Sequence, residues 1–97
     1  MAPEFEWDDD KNAANLTKHG ISFEEAAEIF KNPVYTKVDD RFDYGEPREI
    51  SVGILGETIV ISVVHTDREG RTRMISARKA TRKERRLYYA YLEKALG

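Results

Sequence analysis

Arginine dominates the chemistry open to this 97-residue chain. Nine basic residues stand between positions 68 and 86 (Arg68, Arg71, Arg73, Arg78, Lys79, Arg82, Lys83, Arg85 and Arg86), opposed only by Glu69 and Glu84. Guanidinium groups match phosphate oxygens two bonds at a time. Such a set would grip a nucleic-acid backbone and could also stabilise charge building on a phosphate in a transition state. The bland alternative is a solvated basic face that binds nothing. His65 lies at the end of an apolar run, just before the turn into the arginine-bearing segment, where a group with an ordinary pKa of about 6.5 can take or give a proton near neutral pH. A strand-end histidine satisfied by a backbone carbonyl is the competing reading. His19, in Lys18-His19-Gly20, reads as a cation favoured at a helix C-terminus. Tyr88, Tyr89 and Tyr91 could stack on bases, but at helical spacing Tyr88 and Tyr91 belong to a core stripe and only Tyr89 falls outside it.

Other chemistries lack their residues. There is no cysteine, hence no disulfide framework, thiolate metal site or cysteine nucleophile, which fits a reducing cytoplasm. No glycine-rich phosphate loop, Gly-x-Ser-x-Gly elbow or dinucleotide fingerprint occurs, and no cofactor is expected. Asp39, Asp40 and Asp43 lack the spacing of a calcium loop, and the two histidines are too far apart to form a motif, so no metal site is expected. Met1-Ala2-Pro3-Glu4 has no basic stretch leading into an apolar run, and no window reaches the roughly 18 apolar residues of a membrane span. The expectation is a soluble, cytoplasmic protein. The formal net charge of -2 conceals a division: residues 1–47 carry 5 basic and 12 acidic side chains, and residues 48–97 carry 11 basic and 6 acidic. A polyanionic partner is expected at the basic end.

The elements that must hold these residues are marked by their caps. Asp8 to Asp10 supply an N-cap and first-turn negative charge for a helix through His19, with Gly20 stopping it. Ser22-Phe23-Glu24-Glu25 is a capping box for a second helix, with Phe23, Ala26, Ala27 and Phe30 on one face, ending at Asn32-Pro33. From Val34 the period becomes two. Val34 to Val38 is a weak strand, and a polar turn follows through Asp39, Asp40, Asp43, Tyr44 and Gly45. Ile50, Val52 and Ile54 alternate in a half-buried strand, and Thr58 to Thr66 is apolar on both faces, as a central strand should be. Asp67 to Gly70 turns into a strand from Thr72 to Arg78, and Thr81-Arg82-Lys83-Glu84 caps a final helix striped by Leu87, Tyr88, Tyr91, Leu92 and Ala95. One domain over residues 1–97 is expected, an α+β fold in the order α-α-β-β-β-β-α with a mainly antiparallel sheet packed by helices. Strict alternation puts Arg73 with Ile75 and Ala77, and Arg78 with Met74 and Ser76, so one of the two arginines should meet the core layer.

Blocks along the chain are similar to a known family. Phe5-Glu6-Trp7-Asp8 with Lys11 and Asn15, then Lys18-His19-Gly20-Ile21-Ser22-Phe23-Glu24-Glu25-Ala26, resembles the opening of the BrnT toxin family. Glu46-Pro47-Arg48, Val52-Gly53, the run from Arg73 to Thr81, Glu84-Arg85 and Tyr88 resemble its remaining landmarks. The resemblance implies a RelE-like fold and a ribonuclease toxin of a type II toxin–antitoxin pair. It also implies a BrnA-type antitoxin in a hetero-oligomer, whose ribbon-helix-helix domain would contact operator DNA, so that the toxin meets DNA only through its partner. Carried onto this sequence, it points to Glu46, Arg48, Arg73 and Arg78 for RNA cleavage, with His65 held less firmly.

For an RNA substrate the expected chemistry is attack of the 2′-OH on the adjacent phosphorus, with a base for that proton, cations for the phosphoryl oxygens and an acid for the leaving 5′-oxygen. His65 or Glu46 would be the base, Arg73 and Arg78 would stabilise the phosphoryl charge, and Arg48 would help orient it. Arg68, Lys79, Arg82, Lys83 and Arg86 would hold flanking phosphates. A non-catalytic module gripping nucleic acid or an acidic partner with the same surface is the rival reading.

Overall fold

The computed structural model describes residues 4–41, 43 and 45–96, so Met1 to Pro3 and, within the expected polar turn, Tyr44 lie outside the described residues. The first described element is a three-residue strand, β1 (Glu4–Glu6), followed by helices α1 (Asp9–His19) and α2 (Phe23–Ala27), the latter tightening into a 3-10 turn (Glu28–Lys31). Strands β2 (Tyr35–Val38), β3 (Glu49–Leu55), β4 (Ile59–Arg68) and β5 (Arg71–Lys79) then lead to helix α3 (Arg82–Leu96). The strands form one sheet in the order β1-β5-β4-β3-β2, antiparallel except that β1 lies parallel to β5. The expected element order therefore lacked β1. Glu4-Phe5-Glu6 is too short to show a period, and a parallel partner 67 residues away leaves no local signature.

The caps form where the side chains require them. Asp8 accepts from the Lys11 amide at 3.1 Å, and Gly20 closes α1 in the left-handed region at φ 74°, its N–H donating to the Leu16 carbonyl. Ser22 and Glu25 make both halves of the capping box of α2. Thr81 and Glu84 do the same for α3: the Thr81 amide donates to Glu84 Oε1 at 2.8 Å and the Glu84 amide to Thr81 Oγ1 at 3.1 Å. The β4–β5 connection is a two-residue turn with positive φ at both Glu69 (52°) and Gly70 (81°), the geometry whose twist suits a hairpin.

The sheet is covered differently on its two faces. Helices α1 and α2 with the 3-10 turn bury Ile21, Phe23, Ala26 and Ile29 against Ile61, Val63, Met74 and Ala77. On the other face α3 covers one corner, with the fully buried Tyr88 packed among Val52, Val60 and Ala80 and its hydroxyl donating to the Pro33 carbonyl at 2.9 Å. Gly53 lets the 3-10 turn sit directly on β3: a Cβ there would lie 2.9 Å from Ile29 Cβ and 3.0 Å from Val34 Cγ1. Among the described residues no helix is long and apolar enough to cross a membrane.

Candidate phosphate-binding face

One irregularity in β5 decides where the arginines point. Val64 pairs with Ser76 and His65 with Met74, so Ile75 is an extra residue opposite no partner. Alternation restarts after it. Met74 joins Ala77 on the α1/α2 face, where both are buried, while Arg73 pairs with Thr66 and Arg78 with Ser62. Thr66 and Ser62 lie on the same side of β4, so both arginines emerge on the face that α3 leaves partly bare. The grouping of Arg73 with Ile75 and Ala77, and of Arg78 with Met74, is thus corrected, since a one-residue bulge reverses every assignment beyond it. Neither arginine enters the core layer.

Four arginines of this face each meet a glutamate. Arg73 Nη1 is 2.8 Å from Glu6 Oε2, both side chains about three-quarters buried. Arg78 is held by both oxygens of Glu84, at 2.8 and 3.0 Å, and Nη1 also donates to the Lys79 carbonyl at 3.1 Å. Burial alone would raise the Glu84 carboxyl, but its bonds from Arg78 and Thr81 and the Arg78 charge outweigh this and hold it below its ordinary value. Two outer pairs are looser: Arg68 with Glu46 at 3.3 Å, and Arg71 with Glu4 at 3.1 Å. Such solvated pairs contribute about 0–1 kcal/mol each. Together the four form a row of guanidiniums whose carboxylates come from the N-terminal strand, the loop before β3 and the start of α3.

Arg48 precedes β3 at the level of Thr66, whose hydroxyl donates to the Pro47 carbonyl. With Val38, Pro47, Glu49, Thr66 and Asp67 it lines a depression of about 420 Å³. The floor is pinned from behind, because the Asp39 amide donates to the Arg48 carbonyl at 2.8 Å and the buried Asp39 carboxylate takes Arg41 through two bonds of 2.7 and 2.9 Å. Glu46, Arg48, Arg68 and Arg73 thus gather at the hairpin end of the face. Arg82, Lys83 and Arg86 are exposed on the first turns of α3, next to Glu84 and Arg78, whereas the exposed Lys79 pairs with Ile61 and so leaves the end of β5 on the α1/α2 side.

His65 is not brought to these residues. It lies on the opposite face, 7% exposed, with its ring edge-on to Phe30 at 5.3 Å between centroids. Its Nε2 shares a 2.7 Å hydrogen bond with Ser51 Oγ, which in turn bonds Thr36 Oγ1 at 2.8 Å. Burial lowers its pKa below the ordinary 6.5, against an opposing pull from Glu49 directly across the ladder. His65 is satisfied by a buried hydroxyl, where a backbone carbonyl was the alternative. His19 ends α1 half-buried, and Tyr89 is exposed.

Three residues central to this arrangement carried no chemical signal in the sequence. Glu6 fell in no expected element, and Glu84 read as a cap. Asn15 read as part of a helix, yet its amide is buried on the backbone of β5, accepting from the Ala77 N–H at 3.1 Å and donating to the Ala77 and Ile21 carbonyls at 2.9 and 2.8 Å. It does for Ala77 what a longer β1 would have done. The caps that predict α1 do not say which way Asn15 faces, and its amide is satisfied only by backbone outside the helix, at Ile21 and, far along the chain, at Ala77.

The comparisons with known proteins bear on the same elements. A family model described as the ribonuclease toxin BrnT of type II toxin–antitoxin systems matches residues 7–84. No curated protein matches in sequence. Among solved structures, the crystal structure of the Brucella abortus ribonuclease toxin BrnT superimposes with a TM-score of 0.63 at 26% identity, over 82% of this chain and 99% of that one. The family match spans α1, α2, strands β2 to β5 and the start of α3, and on that basis the chain belongs to the BrnT family of ribonuclease toxins of type II toxin–antitoxin systems.

Proposed function

We propose that this protein is a metal-independent endoribonuclease that cleaves RNA by attack of the 2′-OH on the neighbouring phosphorus, and that it halts translation and growth until a BrnA-type antitoxin with a ribbon-helix-helix domain covers the same face. The observation that carries the reading is the bulge at Ile75, which puts Arg73 and Arg78 on one open sheet face with Arg48 and Glu46 at its edge. In this reading Arg73 and Arg78 meet the phosphoryl oxygens as charge accumulates there, Arg48 orients the phosphate, and Glu46 takes the 2′-OH proton. Arg68, Lys79, Arg82, Lys83 and Arg86 hold the flanking backbone. Glu46 is favoured over His65 as the base because His65 is buried behind the sheet and bonded to Ser51. A RelE-like classification of the fold fits an antiparallel sheet whose open face carries the cations, and binding to operator DNA would pass through the antitoxin in a hetero-oligomer.

The test is cleavage of a single-stranded RNA by purified protein in excess chelator, comparing wild type with Arg78→Ala and Arg73→Ala. Losing one transition-state donor should cost roughly 10²–10³ in rate. Wild-type cleavage by a folded Arg78→Ala protein would remove Arg78 from the site, and activity abolished by the chelator would overturn the metal-independent mechanism.

A further inference from the structure

We infer that Glu84 is a positioning residue for RNA cleavage, fixing the Arg78 guanidinium in the plane and direction that a phosphate must meet; the inference rests on the placement of Arg78 in the reading above.

Glu84 stands where three constraints converge. Its Oε1 accepts from both the Thr81 amide at 2.8 Å and Arg78 Nη1 at 2.8 Å, and its Oε2 accepts from Arg78 Nη2 at 3.0 Å. A carboxylate anchored by the first turn of a helix has little freedom of its own. A guanidinium gripped through both terminal nitrogens is therefore fixed in direction as well as position, which a single contact does not achieve. The pair is asymmetric in the useful sense: the Glu84 side chain is 13% exposed and the Arg78 side chain 37%, so the carboxylate lies beneath and the cation still reaches solvent. Arg78 keeps its Nε–H and one Nη2 hydrogen for a phosphate, since both Nη1 hydrogens go to Glu84 and the Lys79 carbonyl and one Nη2 hydrogen goes to Glu84. The bonds from Arg78 and Thr81 that lower the Glu84 carboxyl favour the ionised form that the fork requires.

The opposite role is also open to an acid beside a phosphate-binding arginine. A carboxylate that merely competes with phosphate would weaken RNA binding, and its removal would tighten it. A residue that only caps α3 would act through stability alone. These roles separate in kinetics. The full chain, free of antitoxin, is assayed on one defined RNA oligonucleotide as wild type, Glu84→Gln, Arg78→Ala, the double variant and Thr81→Ala. Glutamine keeps an amide oxygen for the Thr81 N–H and removes the charged fork, whereas Thr81→Ala removes the hydroxyl half of the cap and leaves the fork intact.

Positioning predicts that Glu84→Gln lowers kcat roughly 10- to 100-fold with KM little changed. It also predicts that the double variant is no worse than Arg78→Ala, and that Thr81→Ala keeps wild-type kcat even where its melting temperature falls. Methylguanidinium should partly restore Arg78→Ala by occupying the Glu84 fork, and should not restore the double variant. If Glu84→Gln folds poorly, Glu84→Asp replaces it, retaining the charge but withdrawing the fork by one methylene, with the same expected fall in kcat. The inference is overturned if Arg78→Ala loses activity while the Glu84 variants keep wild-type kcat, bind RNA more tightly, or fall only as far as Thr81→Ala. Full activity in Arg78→Ala removes the site reading itself, and the inference with it.

Discussion

Arg73 and Arg78 carry the same charge on the same strand, yet they are held unequally: one glutamate oxygen for Arg73, a two-bond fork and a backbone carbonyl for Arg78. Orientation, more than charge, distinguishes them from the exposed Arg82 and Arg86 of α3, which can follow a moving phosphate but cannot fix one. His65 is the other residue whose environment decides its role. Because its folded pKa is lowered, the unfolded chain binds the extra proton first as the pH drops below 6.5. Stability attributable to this residue is therefore intact above the ordinary value and is lost as pH falls through it towards the folded one. Denaturant titrations at pH 7.5 and 5.5 should show wild type weaker at the lower pH and His65→Gln with a smaller difference. Equal losses in both proteins would place the sensitivity elsewhere. Asn15 gives the largest single-residue expectation. Asn15→Ala leaves the Ala77 N–H and two carbonyls without their buried partner, and at about 1–3 kcal/mol per stranded group the total loss should exceed about 2 kcal/mol in urea unfolding.

At the level of elements, what could be read in advance followed from local rules, and what was missed followed from their absence. Asp8, Gly20, Ser22 with Glu25, and Thr81 with Glu84 announce helix ends because a cap needs only its neighbours. The apolar run of β4 announces the middle of the sheet because burial on both faces demands it. Strand β1 and the bulge at Ile75 depend on partners 67 residues away or on the opposite strand, and no local pattern encodes them. The bulge is why the arginines were assigned to opposite faces. It also explains why His65, on the α1/α2 face with Ile61 and Val63, lies behind the cations it was expected to serve. Gly53 tests the same element-level logic. Gly53→Ala pushes a methyl group onto Ile29 and Val34, and if the 3-10 turn cannot retreat the cost should be about 1–3 kcal/mol by thermal or chemical unfolding. A neutral result would mean the turn is loosely seated.

For the whole molecule, the nearly neutral sum of charges hides a chain whose two halves have opposite sign, and folding lays Glu4, Glu6 and Glu46 from the acidic half against arginines of the basic half. Internal pairing of this kind reduces indiscriminate attraction to polyanions while leaving Lys79, Arg82, Lys83 and Arg86 exposed to follow a backbone. If those four hold phosphates, replacing each by glutamine should flatten the salt dependence of RNA affinity by roughly 0.7 in log–log slope per residue. An unchanged slope would assign them to another partner. The central claim, that the face carrying Arg73 and Arg78 cleaves RNA through its own 2′-OH, is most directly tested by inducing the protein in cells and mapping RNA ends. The account predicts growth arrest with new 5′-hydroxyl ends that disappear in Arg78→Ala. Arrest with no new ends, or with 5′-phosphate ends, would contradict it.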